Sequence, residues 1–301
     1  MDISDIAMLE AITKYGSISK ASEILHVTQP TLSRRLSRLE SQLATSLFLR
    51  SSNGLSPTDH TKFIIESSEP IKTKIQSIER HIELMNTLEA GELRIGVGPI
   101  VEQLYFPYSI LQLTNSPTSN LNITIRTEKS DDLKQLLLEG LVDIAVGPFE
   151  ESSTREEYQI FPIASQPLMI ATRAHHPLVE KYHGGRPIPL DELFSFPLIA
   201  PHIPQYMIDQ MEALKDLNAS RIICDNYSII KDVVERSDQV TIGPSAIFSE
   251  EVANGKIVLT SLPVPIRWYA ACIALASNAC LPVIRRIIDV FREYDLPGTA
   301  L

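Results

Sequence analysis

The sequence predicts an α + α/β protein: a small helical N-terminal domain, one long helix, and a larger α/β domain of two lobes. Three observations lead there. Two short amphipathic helices separated by a tight break fall within residues 17–43, the second carrying three arginines. From residue 64 to 85 apolar residues recur at heptad spacing. Beyond residue 90, short apolar runs alternate with helical periodicity, as strand–helix–strand units of a parallel sheet do.

Residues 2–15 read as a support helix with Ile6, Leu9 and Ile12 on one side. Tyr15-Gly16-Ser17 ends it and caps the next, whose apolar positions are Ile18, Ala21, Ile24 and Leu25. A break follows at His26-Val27. Thr28 then stands where an N-cap belongs, with Pro30 in the first turn, so a further helix should run from Gln29 to about Gln42. Leu32, Leu36, Leu39 and Leu43 form its packing stripe, and Thr31, Ser33, Arg34, Arg35 and Arg38 its opposite face. This is the layout of a helix–turn–helix, whose second helix enters the major groove. Arg34 and Arg35 can reach guanine edges or phosphates, and Gln29, Thr31 and Ser33 can donate to bases or backbone. Residues 28–50 hold four arginines against one acid, Glu40, in a chain of net charge -10. Adjacent arginines on a helix also read as a solvated face. The cap, both apolar stripes and the basic outer face together favour nucleic acid.

At these positions residues 1–65 resemble the winged helix–turn–helix of the LysR-type transcriptional regulators. The motifs that carry the resemblance occur in order: Gly16-Ser17, Ala21-Ser22, Leu25, Thr28-Gln29-Pro30 with Ser33, Leu39-Glu40, and Leu47-Phe48-Leu49-Arg50. Two departures fall around the wing. Ala44 stands where a glycine is common, and Pro57-Thr58-Asp59-His60-Thr61 replaces the usual Leu-Thr-x-x-Gly. The resemblance implies binding to double-stranded promoter DNA at a roughly palindromic site. It places Ser17, Thr28, Gln29, Pro30, Thr31, Ser33, Arg34, Arg35, Arg38 and Arg50 at that DNA.

Residues 58–88 read as one long helix. Ile64, Ile71, Ile78 and Met85 are seven apart, while Ser68, Ile75 and Ile82 fill the alternate seam. A helix apolar along one narrow stripe needs a partner. An identical second chain supplies one; two shorter helices folded on their own chain are the alternative. Pro70 should kink or open the helix locally. The resemblance, in which a linker helix dimerises and the effector domains associate further into a tetramer, favours the second chain.

Ala90-Gly91 is expected to close that helix. Then come a strand at 92–97, a Gly/Pro turn, a helix at 102–113, a strand at 121–127, a helix at 131–139 and a strand at 143–146. Gly140 and Asp143, followed by Ile144-Ala145-Val146, resemble the LysR family's ending of this unit. A second lobe begins near Ile163 with a strand at 166–172 and a polar loop at 173–189. Strands at 198–200, 221–224 and 240–242, a helix at 228–237, a turn into 245–251 and a short strand at 257–259 follow. A strand at 267–276 crosses back to the first lobe, and 282–294 is the terminal helix. The domains are thus 1–58, a linker at 59–89, and 90–301, with lobe 1 at about 90–162 and 267–301 and lobe 2 at 163–266. Two lobes joined by two crossovers resemble the family's effector domain, which has a periplasmic-binding-protein fold.

Catalysis has little support. His175, His176 and His183 lack a carboxylate or thiol that would complete a metal set. Asp131-Asp132 complement a helix dipole, and Ser245 lacks the flanking glycines of a nucleophile elbow. Val101 occupies the place of the third glycine in a dinucleotide fingerprint. No cofactor and no enzyme activity are expected. Cys224, Cys272 and Cys280 form no CxxC pair, the start MDISDIAMLEAI has no secretory character, and no apolar run approaches membrane-spanning length. A reduced cytoplasm and no membrane fit these features.

A ligand cleft is better motivated, because small molecules bind open α/β sheets at the carboxyl ends of strands. The loops in that position are Pro99-Ile100-Val101, Thr127-Glu128-Lys129-Ser130, Gly147-Pro148, His202-Ile203-Pro204, Asn226-Tyr227-Ser228 and Gly243-Pro244. Ser130 and Ser228 read equally well as helix caps. Glu128, Lys129, His202, Asn226 and Tyr227 suit a hydroxylated or carboxylated metabolite. The resemblance puts a small-molecule effector among these loops. The expectation is a DNA-binding regulator, dimeric or tetrameric, that senses a small molecule. The rival is a binding module or receptor without a transcriptional role.

Overall fold

A computed structural model describes residues 1–51, 54–86, 90–114, 120–149, 156–182, 188–203, 221–263 and 265–294. The chain divides into two compact units, Met1–Ile78 and Glu79–Leu301.

The first unit holds helices α1 (Ile3–Tyr15), α2 (Ile18–Ile24) and α3 (Gln29–Leu43), an antiparallel wing of β1 (Phe48–Ser51) and β2 (Gly54–Pro57), and most of α4 (Asp59–Asn86). Met8, Leu9, Ile12, Ala21, Leu32, Leu36, Leu39, Leu47 and Phe48 form its core. Asp2 and Asp5 cap α1 reciprocally, and Gly16 ends it at φ 62. Two apolar positions differ from the sequence reading. Ile24 is exposed and Ser22 buried, because Ile24 lies about 100° around the helix from Leu25, which packs inward. Leu43 is also exposed, since α3 ends there with Ala44 in the left-handed region at φ 51.

The wing docks on the α1–α2 turn. Leu55 N–H donates to the Gly16 carbonyl at 2.8 Å. Gly54 sits at φ 113, and a Cβ on it would fall 2.6 Å from that same oxygen. The unusual Thr58 and Thr61 close the wing's base: both hydroxyls donate to the Leu47 carbonyl, Thr58 at 3.0 Å. Helix α4 continues through Pro70 without interruption. Pro70 is exposed, so water can take the carbonyl its missing N–H leaves unpaired.

The second unit begins with β3 (Ala90–Val97), so Ala90-Gly91 belongs to a strand and does not close α4. Then come α5 (Pro99–Leu104), α6 (Phe106–Thr114), β4 (Asn120–Thr127), α7 (Ser130–Leu138), β5 (Ile144–Gly147) and β6 (Tyr158–Arg173). One helix was expected where α5 and α6 stand. Pro107 has no N–H for the Gln103 carbonyl and its ring crowds that carbonyl, and the break falls at Tyr105. The loop expected at 173–189 contains α8 (Pro177–Lys181), and α9 (Leu190–Leu193) follows. The rest is β7 (Leu198–Ala200), β8 (Arg221–Ile223), α10 (Tyr227–Arg236), β9 (Thr241–Pro244), a 3-10 turn (Ser245–Phe248), α11 (Ser249–Ala253), β10 (Ile257–Ser261), β11 (Arg267–Leu275) and α12 (Pro282–Glu293).

The main sheet runs β10-β6-β11-β5-β3-β4, with β9 also on β6. β3 pairs in parallel with β4 and β5, as strand–helix–strand units require. β6 and β11 are the two crossovers. As far as Pro167 β6 pairs with β11, and from Leu168 onward with β9 and β10. β7 and β8 form a parallel pair of their own.

Candidate functional site

The outer face of α3 displays Gln29, Pro30, Thr31, Arg34 and Arg38, all exposed. Thr28 takes the N-cap position, but its hydroxyl pairs with that of Thr31 at 2.8 Å and caps no N–H. Arg34 Nε donates to the Pro30 carbonyl at 3.3 Å, along its own helix. Ser33 is half-buried, and Arg50 lies exposed on β1. The Ser17 hydroxyl accepts from Lys20 N–H, capping α2.

Arg35 differs from its neighbours in where its guanidinium is held. Its Nε donates to Asp5 at 2.6 Å and its Nη2 to Asp2 at 2.5 Å. The guanidinium is therefore turned toward the N-terminus of α1 and not presented with Arg34 and Arg38. The cause is angular: Arg35 follows Arg34 by about 100° and flanks the buried Leu32–Leu36–Leu39 stripe. Burial raises the Asp5 carboxyl pKa, but the hydrogen bonds from Arg35 and from the Asp2 backbone bring it below its ordinary value. Glu40 acts similarly at the other end of α3, accepting from Leu47 N–H at 2.8 Å.

Along α4, Ile71, Ile78 and Ile82 are each about half exposed. The seam expected at Ile64 and Ser68 instead packs on its own unit: Ile64 lies against the core, and Ser68 is buried with its hydroxyl on the Ile64 carbonyl. Farther along, Arg80 is buried and donates to the Gly140 carbonyl at 2.6 Å, with Asp143 at 3.6 Å. Asp143 also accepts from Arg94 N–H at 2.8 Å, and Gly140 adopts φ 73. Burial raises the Asp143 pKa, outweighing the Arg94 and Arg80 interactions that lower it.

In the second unit a cleft of about 440 Å³ opens at the carboxyl ends of β3, β4 and β8. Pro99, Glu102, Gln103, Thr127, Glu128, Lys129, Asp225, Asn226 and Ser228 line it. The Asn226 carboxamide oxygen accepts from Ser228 N–H at 2.9 Å, so Asn226 is the cap of α10 and Ser228 is not. Gln103 Nε2 reaches the Ser228 hydroxyl at 3.4 Å, joining α5 to α10.

Six anticipated positions, Pro99, Thr127, Glu128, Lys129, Asn226 and Ser228, come together here. Others do not. Val101, Ser130 and Tyr227 are buried in the packing behind the wall, and Ile100 packs against the core. Gly147 and Pro148 lie against Gly98, whose Cβ would stand 3.3 Å from the Pro148 ring. Gly243 packs under Phe248 and the Tyr227 hydroxyl, while Pro244 leads into the 3-10 turn. His202 stands behind Asp225, which it meets at 2.8 Å, and Ile203 packs on the core. Pro204 and His183 lie outside the described residues. Glu102, Gln103 and Asp225 were missed. Glu102 follows Pro99 by one helical turn, which was the available signal.

His176 is a structural group. Its Nδ1 accepts from Leu178 N–H at 3.1 Å, capping α8, and Nε2 lies 3.2 Å from the Asp238 carbonyl. Burial lowers its pKa. Among the described residues no group of three or more His, Cys, Asp or Glu could hold a metal ion, and no helix is long and apolar enough to cross a membrane.

Residues 3–62 match the model of the bacterial regulatory helix-turn-helix proteins of the lysR family, and residues 86–295 match the LysR substrate binding domain. The SDS degradation transcriptional activation protein of a Pseudomonas species is 24% identical over 280 residues, covering 92% of this chain and 90% of that one. HTH-type transcriptional regulator YtlI of Bacillus subtilis is 30% identical over 181 residues, 60% of this chain and 58% of YtlI. Among solved structures, Vibrio fischeri DarR in complex with DNA aligns with TM-score 0.62 at 17% identity, covering 98% of this chain and 100% of DarR. A full-length OxyR variant from Pseudomonas aeruginosa aligns at 0.61 and 22%, covering 100% and 98%.

Proposed function

The chain belongs to the LysR family of transcriptional regulators, a DNA-binding helix–turn–helix joined to an effector-binding domain, and from that premise we propose which residues do the work. Gln29, Thr31, Arg34 and Arg38 of α3 enter the major groove, with Ser33 at their edge and Arg50 of the wing on the backbone. Arg35 is a positioning residue that fixes α3 against α1. The observation that carries this assignment is the division among the arginines: Arg34 and Arg38 are exposed, whereas Arg35 is bonded to Asp2 and Asp5.

Two chains pair through the exposed Ile71–Ile78–Ile82 face of α4. Pairing places two recognition helices on successive major-groove faces, so the DNA site is roughly palindromic. The working boundaries are 1–58 for DNA binding, 59–89 for pairing and 90–301 for the effector domain. The effector enters the cleft lined by Pro99, Thr127, Glu128, Lys129 and Asn226, with Glu102, Gln103 and Asp225 added. The cytoplasm is where such a regulator meets its DNA, and no reaction is assigned to it.

Ligand binding shifts the closure of the lobes and thereby the placement of the DNA-binding dimers. Helix α7 is a candidate route, since Lys129 at its N-cap lines the cleft and the Gly140 carbonyl beyond its far end receives Arg80 of α4.

An Ile78→Asp variant tests the assembly. Sedimentation should show dissociation of the wild-type oligomer, and a footprint on DNA selected from a random pool should lose its two-half-site form. An unchanged oligomer and footprint would remove α4 from the interface.

A further inference from the structure

We infer that the cleft takes a zwitterion, a small metabolite with one ammonium and one carboxylate group, as an amino acid has. This rests on the cleft being the effector site and names the chemistry it selects. Among the described residues four charged ones line it: Glu102, Glu128, Lys129 and Asp225. Two are already engaged by the protein. Asp225 uses both oxygens on His202, one on the backbone N–H and one on ring Nδ1, each at 2.8 Å. Glu128 meets Arg126 at 3.2 Å.

The side chains of Glu102 and Lys129 have no hydrogen bond or ion pair among the described residues. They stand on different elements, Glu102 in α5 and Lys129 at the N-cap of α7. One carboxylate and one ammonium thus border the same volume without compensation from the described residues. A ligand with both charges satisfies both at once. A ligand with a single charge leaves the other group desolvated and unpaired on lobe closure, which costs the affinity it gained elsewhere.

The rest of the wall agrees. Gln103, Thr127, Asn226 and Ser228 are polar, and among the described residues Pro99 is the one apolar lining residue and no aromatic ring lines the cleft. A flat hydrophobic ligand finds no surface to stack on. No side chain caps the first N–H groups of α7, which adds a favourable potential for a carboxylate beside Lys129.

Calorimetry and thermal-shift measurements on the full chain provide the test. The panel is the standard α-amino acids and the ω-amino acids from β-alanine to ε-aminocaproate, each beside the amine and the carboxylate that lack one charge. At least one zwitterion should bind and raise the unfolding midpoint, and its single-charge analogues should not. Glu102→Gln and Lys129→Gln, both at exposed positions, should each weaken that zwitterion by about ten- to a hundredfold. If no zwitterion binds, or a single-charge analogue binds equally well, the zwitterion inference is overturned and the cleft reading stands. A zwitterion that binds both variants as tightly as wild type overturns the cleft reading with it.

Discussion

The exposed face of α3 and the cleft of the second unit present opposite ways of building a polar site. The face is local: all its side chains fall within ten residues of one helix, and its orientation is held by Arg35 on Asp2 and Asp5. The cleft draws on α5, the β4–α7 turn and the β8–α10 turn, which are well over a hundred residues apart at the extremes. A local site tolerates substitution of its exposed members without loss of fold. A site assembled from distant turns depends on the buried contacts that hold those turns.

The largest effect should therefore fall on a residue that touches neither DNA nor ligand. Arg80→Met removes the buried partner of Asp143 and should destabilise the second unit by about 3–5 kcal/mol. Trp268, the only tryptophan, is buried in that unit and reports its unfolding by fluorescence. If the midpoint stays within the error of wild type, the Arg80–Asp143 pair is not what holds the β5 corner.

Arg35→Ala and Arg38→Ala should separate clamp from contact. Loss of Arg35 leaves a buried Asp5 carboxylate and should cost about 1–3 kcal/mol of stability. Because the folded Asp5 pKa lies below its ordinary 3.8, this contribution is present above that pH and disappears as pH falls through the folded value. Arg38→Ala should leave the melting midpoint unchanged and lower the salt slope of DNA binding by about one. Equal melting losses in the two variants would erase the distinction drawn between them.

His176 supplies a pH test of the second unit. Its folded pKa is lowered, so below its ordinary 6.5 the unfolded chain takes up the proton first and stability falls with pH. Midpoints measured from pH 7.5 to 5.5 should decline more in wild type than in His176→Asn. The smallest effect should be a gain. Ala44→Gly relieves a left-handed alanine and should stabilise the first unit by about 1 kcal/mol, read from a denaturant midpoint.

The same contrast governs how much could be read from sequence. Helix periodicity, a cap position and Pro30 located α3 to within a residue, because all the signals lie in one stretch. Charge type did not reveal which arginine is clamped. That depends on Asp2 and Asp5, some thirty residues away, meeting the flank on which Arg35 stands. Of the six loops expected from strand ends, three supply described residues to the cleft, those holding Pro99, Thr127 and Asn226, and strand ends do not tell which residues of each loop face in. Val101, Ser130 and Tyr227 each lie next to a lining position and turn inward as their helices begin. Asp225 lies just beyond the expected strand end at Cys224 and nothing local distinguishes it: β8 stops at Ile223, Cys224 packs inward, and Asp225 reaches the wall. Only the second half of β6 is legible from its own residues. Its first ten residues become a strand by pairing with β11, about a hundred residues later, which no local pattern encodes.

On our proposal, the reading of DNA sequence belongs to the exposed face of α3. Fluorescence anisotropy on a site selected from a random pool and on scrambled DNA, at two salt concentrations, tests it most directly with Arg34→Ala beside wild type. The account predicts a loss of about 1–3 kcal/mol on the selected site and a smaller loss on scrambled DNA, with the melting midpoint unchanged. Equal losses on both DNAs would make Arg34 a phosphate contact, and an undiminished preference for the selected site would contradict the assignment of α3 as the reading element.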